Sequence, residues 1–300
     1  VRTQRKRDVD KYYLAFNQIE VLSDGKNIAP GKKVIAKDSE EKGRWSKSAL
    51  VDGLEIRGAN KRENKTLMAR REFAVKPALE RALIHISGMG HYELTVNGRK
   101  VGENLLTPGW TEYTKTSLYD SYDITGMLRE NSGNALGVIL AGGMFNVRSE
   151  RYVKFESPFR PLMLICQLRL EYADGTTEII GTDKQWKLFA DGFITFSGMF
   201  GGEDYDARIA AQMNGWDAPG FDDRLWIQAT SVPGYGAKLK GVSHAAPPLQ
   251  TFETLTPLRI QQIDSLVYVY DLGQNVSLMP RIQVRGPKGS SVRILPSELT

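Results

Sequence analysis

The sequence predicts an all-β protein built from tandem antiparallel β-sandwiches, and three observations carry that expectation. Apolar residues alternate with polar ones in short runs, the pattern of a sheet with one wet face. Turn dipeptides separate these runs, above all Asn97-Gly98 and Asp174-Gly175. No segment carries the long 3.6-residue apolar stripe of a helical bundle or an α/α barrel.

Taken along the chain, the polar stretch GANKRENK (residues 58–65) reads as a loop that closes an N-terminal piece. In RALIHISGMGHYELTVNGRKVG a first strand runs over residues 82–87. A second places Tyr92, Leu94 and Val96 on one face and Glu93, Thr95 and Asn97 on the other. Asn97-Gly98 follows as a type I′ hairpin turn, because both residues tolerate positive φ. Residues 122–129 read as a helical turn ahead of a strand over 135–140. LICQLRLEYADGTTEIIG repeats the hairpin design around Asp174-Gly175, and Phe200-Gly201-Gly202 suits a bulge or bend. PGYGAKLKGVSHAAPP (residues 233–248) reads as a linker rich in Gly, Pro and Ala. Beyond it, SLVYVYDLGQNV and PRIQVRGPKGSSVRILPSELT open a new set of strands that is still under way at Thr300. Three parts follow: 1–65, 66–240 and an incomplete 241–300.

Composition narrows the function classes. With 41% hydrophobic and 25% charged residues in 300, the chain belongs among core-forming proteins and outside the disordered and collagen-like classes. No apolar run reaches the roughly 18 residues of a membrane span, and no signal peptide is visible. A single cysteine, Cys166, excludes an internal disulfide and a cysteine-rich zinc module; its apolar flanks suit an inert, buried thiol. Three scattered histidines make no metal motif. The net charge of +5 is concentrated early: residues 1–71 hold 18 basic and 10 acidic side chains. A solvated basic terminus accounts for this, since no aromatic-and-basic groove or recognition helix follows, and no nucleic-acid partner is expected.

The densest polar stretch is GGEDYDAR, with Glu203, Asp204, Asp206 and Arg208 in six positions. An inverting acid–base pair needs carboxyl groups roughly 6.5–9.5 Å apart around a sugar, and spacing by itself does not supply the differently tuned pKa values. Glu203, Asp204 and Asp206 are also candidate metal ligands, calcium being the cation that suits hard oxygen donors, although no EF-hand spacing is present. The structural alternative pairs Arg208 with a neighbouring carboxylate and turns Tyr205 and Ala207 inward. Aromatic residues on Gly/Pro-rich turns are candidate sugar contacts: Trp110 and Tyr113 in PGWTEY, and Phe145 with Asn146 in GGMFN. Core packing is the competing role for Trp110 and is the favoured one. In GWDAPGFDDRLW, Trp216, Phe221 and Trp226 are expected to cap a sandwich edge, and Asp217, Asp222 and Asp223 to make Asx-type backbone hydrogen bonds. AGGMF lacks the helix start of a phosphate loop.

Several of these motifs occur together in a known family. ISGMGHYELTVNGRKVGENLLTPGWTEYTKTSLYDSYDITGML, NALGVILAGG, ITFSGMFGGEDYDAR and GWDAPGFDDRLW resemble, in matching order, the N-terminal β-sandwich of bacterial α-L-rhamnosidases of glycoside hydrolase family 78. VYVYDLGQNVSLMPRIQVRGPKGSSVRILPSEL resembles the start of their next sandwich, so the likeness spans about residues 66–300. Residues 16–55 resemble the opening of a discoidin-type domain, inserted or interrupted. The resemblance implies jelly-roll, galactose-binding-like sandwiches in a noncatalytic N-terminal part. It places inverting hydrolysis of terminal α-L-rhamnosyl groups in an (α/α)6 barrel outside this chain. It further implies a rhamnose-containing carbohydrate and the missing C-terminal catalytic domain as partners, a periplasmic or secreted location in a bacterium, no required cofactor, and no catalytic residue here. A stand-alone carbohydrate-binding module and a purely structural scaffold are the alternatives.

Overall fold

A computed structural model describes residues 65–147, 157, 161–242 and 248–296, with 6–8, 11–12, 21–24, 26–29 and 31–35 of the N-terminal piece. There, β1 (Lys6–Asp8) pairs with β2 (Lys11–Tyr12), and β3 (Leu22–Ser23) with β4 (Lys26–Asn27). The readings of residues 58–64 as a loop and of most of 16–55 as discoidin-like lie outside the described residues.

The main body begins with β5 (Leu67–Ala74), β6 (Leu79–Met89), β7 (His91–Val96), β8 (Arg99–Lys100), β9 (Thr116–Asp123) and β10 (Gly133–Ala141). It continues with β11 (Met163–Tyr172), β12 (Thr177–Gly181), β13 (Lys187–Phe189), β14 (Ile194–Gly198) and β15 (Gly202–Tyr205). A short helix α1 (Ala207–Gln212) precedes β16 (Ile227–Gln228) and β17 (Lys238–Gly241). Six strands assemble in the order β16-β13-β5-β10-β7-β8 and five in the order β12-β11-β6-β9-β17. All neighbours are antiparallel except β17, which runs parallel to β9 and so places a sheet strand inside the stretch read as a linker.

Alternation explains which faces meet. Tyr92, Leu94 and Val96 are buried as the period-two pattern requires, together with Ile84 and Ile86 from β6, Leu136 and Val138 from β10, and Leu168 and Leu170 from β11. Asn97 (φ 51°) and Gly98 (φ 79°) form the expected positive-φ turn. The Asn97 side chain does more than turn the chain: it donates to Met127 O (3.0 Å) and Asn134 Oδ1 (2.9 Å) and accepts from Ala135 N (2.9 Å). The second hairpin differs in type. Only Gly175 (φ 79°) is left-handed, its N–H donates to Tyr172 O, and Asp174 accepts from both the amide and the hydroxyl of Thr176. This local acceptor favours a type I turn with a glycine bulge over the mirror-image turn.

A second apolar cluster lies on the opposite face of the six-stranded sheet. On β5, Ala69 faces the first core while Met68 joins Met213, Trp216 and Trp226 in the second. Trp216, Phe221 and Trp226 therefore cover the back of a sheet rather than cap its edge. Trp226 stacks on Phe189 (5.4 Å between centroids) and Trp216 (6.0 Å).

Contacts divide the chain into two units, and the second comprises Glu103–Leu105 and Pro248–Thr300. In it, β18 (Arg259–Asp264) pairs with β19 (Val267–Asp271), and Leu105 N donates to Leu249 O. Residues 272–296 form no ladder, contrary to the expectation that IQVR and VRIL are strands. A strand exists only where a neighbour accepts its hydrogen bonds, and no described segment does so.

Cys166 is buried, and burial pushes its thiol up to about 12. Because the folded value is raised, this group costs nothing below the ordinary thiol range, and stability falls as pH rises from about 9 toward 12. Iodoacetamide at pH 8 is expected to leave the native thiol unmodified and to label it fully in denaturant. Labelling of the native protein at the rate of a free thiol would contradict this burial.

Candidate functional site

The sugar-contact candidates separate cleanly in the structure. Trp110 is 62% exposed, against the favoured core-packing role, whereas Tyr113 and Phe145 are buried and Asn146 is half-buried. Tyr113 meets Phe145 edge to face at 5.1 Å, and Phe145 meets Tyr235 in the same way at 5.7 Å. Burial pushes the Tyr113 phenol up to about 12. The amide of Asn146 donates to Gly142 O (2.9 Å), and Ser157 Oγ donates to Phe145 O. Tyr113 and Phe145 thus serve as packing, and of the candidate aromatics Trp110 is the exposed one.

Trp110 sits on an arch between β8 and β9 whose two feet are fastened. At one foot, Tyr92 N donates to Thr107 O (2.9 Å), and the Thr107 hydroxyl donates to Asp120 Oδ2 (2.6 Å). The Thr107–Pro108 peptide bond is cis. At the other foot, Thr111 Oγ1 donates to Thr116 O (2.5 Å), and Glu112 O accepts from the amides of Lys115 and Thr116. An arch fastened at both ends fixes the backbone from which the exposed indole projects, and an aromatic ring offers a flat apolar face with few rotatable bonds, which suits sugar stacking.

The acidic cluster is organised differently. β14 and β15 form a separate two-stranded ribbon, and the glycines of residues 200–202 lie at its tip, where Gly201 N donates to Gly198 O. Tyr205 and Ala207 are exposed rather than turned inward: Tyr205 ends β15 with its ring edge-on to Phe193 (5.5 Å), and Ala207 opens α1 instead of continuing the strand. Asp206 caps α1: its Oδ1 accepts from Arg208 N (2.9 Å), and its two oxygens take the Arg208 guanidinium at 2.9 and 2.6 Å. The hydrogen bonds from the Arg208 side chain and amide hold the Asp206 carboxyl well below the usual carboxylate range. Glu203 accepts from Ser197 Oγ (3.2 Å), and Glu203 and Asp204, as successive strand residues, face opposite sides of the ribbon. Among the described residues no three His, Cys, Asp or Glu side chains gather as a metal cluster. Glu203 and Asp204 are both exposed.

Sequence reasoning missed a buried and multiply bonded polar group of the main body, Arg70. It was counted in the early basic excess, yet its side chain is buried on the back of β5. Nε donates to Trp216 O (2.8 Å) and Nη2 to Glu72 Oε1 (2.5 Å) and Ala218 O (3.0 Å), while Nη1 pairs with Asp223. Lys187 Nζ also reaches Asp223 (2.5 Å), and the guanidinium lies 5.6 Å from the Phe221 ring centre. Asp222 follows the expected local pattern with Arg224, but Asp223 is an ion-pair partner. This arrangement fastens the 213–226 segment to the sheet.

The profile of the α-L-rhamnosidase N-terminal domain family matches residues 77–253, and the chain belongs to that family. An α-L-rhamnosidase of Streptomyces avermitilis is 34% identical over 221 residues, covering 74% of this chain and 21% of the relative. Among solved structures, an α-L-rhamnosidase from Dictyoglumus thermophilum superposes with a TM-score of 0.61 at 37% identity, over 70% of this chain and 22% of that one. The Streptomyces avermitilis α-L-rhamnosidase complexed with L-rhamnose gives a TM-score of 0.62 at 32% identity, over 78% and 21%. The chain spans about a fifth of the length of these relatives.

Proposed function

We propose that this chain is the noncatalytic N-terminal part of an α-L-rhamnosidase acting on terminal α-L-rhamnosyl groups, and that it contacts the carbohydrate through Trp110. The observation that carries the binding part is the exposed indole on an arch fastened at both feet. The noncatalytic part is supported by family membership and by acidic side chains that are engaged in capping and ion pairing. Among the described residues no helix is long and apolar enough to cross a membrane.

The purified 300-residue chain is expected to leave an aryl α-L-rhamnoside intact and to bind rhamnose or rhamnosyl oligosaccharides saturably. Loss of the stacked ring in Trp110→Ala removes about 1–2 kcal/mol of apolar contact, or roughly 5- to 30-fold in affinity. Calorimetry with no heat for the wild type, or equal affinity for the variant, would overturn the binding role. Turnover abolished by Asp204→Asn or Asp206→Asn would overturn the noncatalytic one.

A second reading, a scaffold that docks a larger catalytic part, is supported by the second unit. Leu258, Leu266 and Phe252 are each at least 80% exposed there, and all of β18 is exposed. Apolar exposure of this kind marks surfaces that another polypeptide covers. Under this reading the chain co-elutes with a separately expressed C-terminal part of a rhamnosidase and binds no sugar.

A further inference from the structure

We propose that Asp120, Thr107 and Tyr92 form a buried lock that positions the Trp110 arch, with Asp120 as the residue on which the other two converge. Its value for sugar binding rests on the reading of Trp110 given above; the lock itself can be tested without that reading.

Asp120 is a carboxylate on the inner face of β9, paired across the ladder with Ile86, and it is almost fully buried. A charge in that position is costly unless it is hydrogen-bonded. Two hydroxyls meet this need at one oxygen: Tyr92 Oη donates at 2.6 Å and Thr107 Oγ1 at 2.6 Å. Tyr122 Oη lies 3.3 Å from Tyr92 Oη and extends the network. Tyr92 belongs to one large sheet and Asp120 to the other, so the network joins the two layers. Thr107 belongs to neither. It enters the network from the arch, and its carbonyl is held by the amide of the same Tyr92.

Thr107 therefore has a role different from that of Tyr92. Tyr92 and Asp120 would be satisfied as a pair within the sandwich, whereas the threonine hydroxyl ties a surface loop to them. Three residues further on is the exposed indole. Removing that hydroxyl leaves this foot of the arch held by the Tyr92 N to Thr107 O backbone bond alone, while the two layers stay bonded through Tyr92 and Asp120. The arch then samples several conformations, and apparent affinity falls by the fraction that remains competent.

The test uses the full chain labelled with 5-fluorotryptophan, with the Trp110 fluorine resonance assigned by its loss in Trp110→Phe. In Thr107→Val that resonance is expected to shift or split while those of Trp186, Trp216 and Trp226 stay in place, and Thr107→Ser is expected to restore it. Rhamnose affinity should fall about tenfold in Thr107→Val and recover in Thr107→Ser, the size expected when about a tenth of the population remains competent. Asp120→Asn keeps the shape and drops the charge, and as the second variant it should move the same resonance. An unmoved Trp110 resonance in whichever of these variants folds overturns the lock. A wild type that binds no rhamnose overturns the sugar reading and leaves the resonance to judge the lock.

Discussion

Replacing Arg70 with methionine is expected to cost about 3–5 kcal/mol of stability, the range seen when one partner of a buried ion pair is removed. The methionine fills much of the space but donates nothing. Asp223 loses its buried partner, and the carbonyls of Trp216 and Ala218 lose theirs. Urea unfolding of the two proteins at pH 7 measures the difference, and a loss below about 1 kcal/mol would show that the guanidinium contributes only packing. Acid supplies a second check. Burial disfavours the Asp223 carboxylate, but hydrogen bonds from Lys187 and Arg70 outweigh it, so its folded pKa is lowered. A lowered value means that the contribution is present above the unfolded carboxylate value of about 4 and is lost as pH falls through the folded one. The stability gap between wild type and Arg70→Met should therefore be level from pH 5 to 7 and narrow below pH 4.

Gly137→Ala tests the same face by shape instead of charge. Gly137 lies between Leu136 and Val138 of the inner core, so its own missing side chain points to the back of the sheet. A methyl group there would come within 2.5 Å of Asp217 Cβ, 2.6 Å of Thr95 Oγ1 and 2.9 Å of Trp216 Cη2. The 216–217 segment must lift away from the sheet, and overpacking of this kind costs about 1–3 kcal/mol. The expected signature is a lower urea midpoint together with loss of the near-ultraviolet circular dichroism of the stacked Trp216–Trp226 pair. A variant with both properties unchanged would mean that the segment does not rest on Gly137.

Local pattern made much of the sandwich legible. The buried triplet of β7 and the Asn97-Gly98 turn follow from alternation and backbone sterics, which act over a few residues, whereas the helical turn read over 122–129 is confined to Thr125–Met127 because Tyr122 and Asp123 pair with β6 as part of β9. The second core was not legible as such. Trp216 and Trp226 were recognisable as apolar anchors, but which surface they cover depends on Met68 and Phe189, far away in sequence. Arg70 and Asp223 each read as an ordinary charge, because a buried pair separated by more than 150 residues leaves no spacing signal. Tyr205 and Ala207 show the reverse case: alternation places them on one face only if the strand continues, and the chain turns into α1 at Ala207.

The site divides in the same way. Trp110, Tyr113, Phe145 and Asn146 were found together by their setting among Gly and Pro, a composition that marks turns. Only packing separates the exposed Trp110 from the buried Tyr113 and Phe145. By itself, then, the sequence determined an all-β chain, its main hairpins and its likeness to the α-L-rhamnosidase N-terminal part, because these depend on local periodicity and on motifs preserved in order. The tertiary structure alone decided which aromatic faces solvent, which arginine is buried and which carboxylate fastens the arch. Those properties belong to pairs of residues brought together by the sheets, and burial is set by what lies opposite a side chain rather than beside it in the chain.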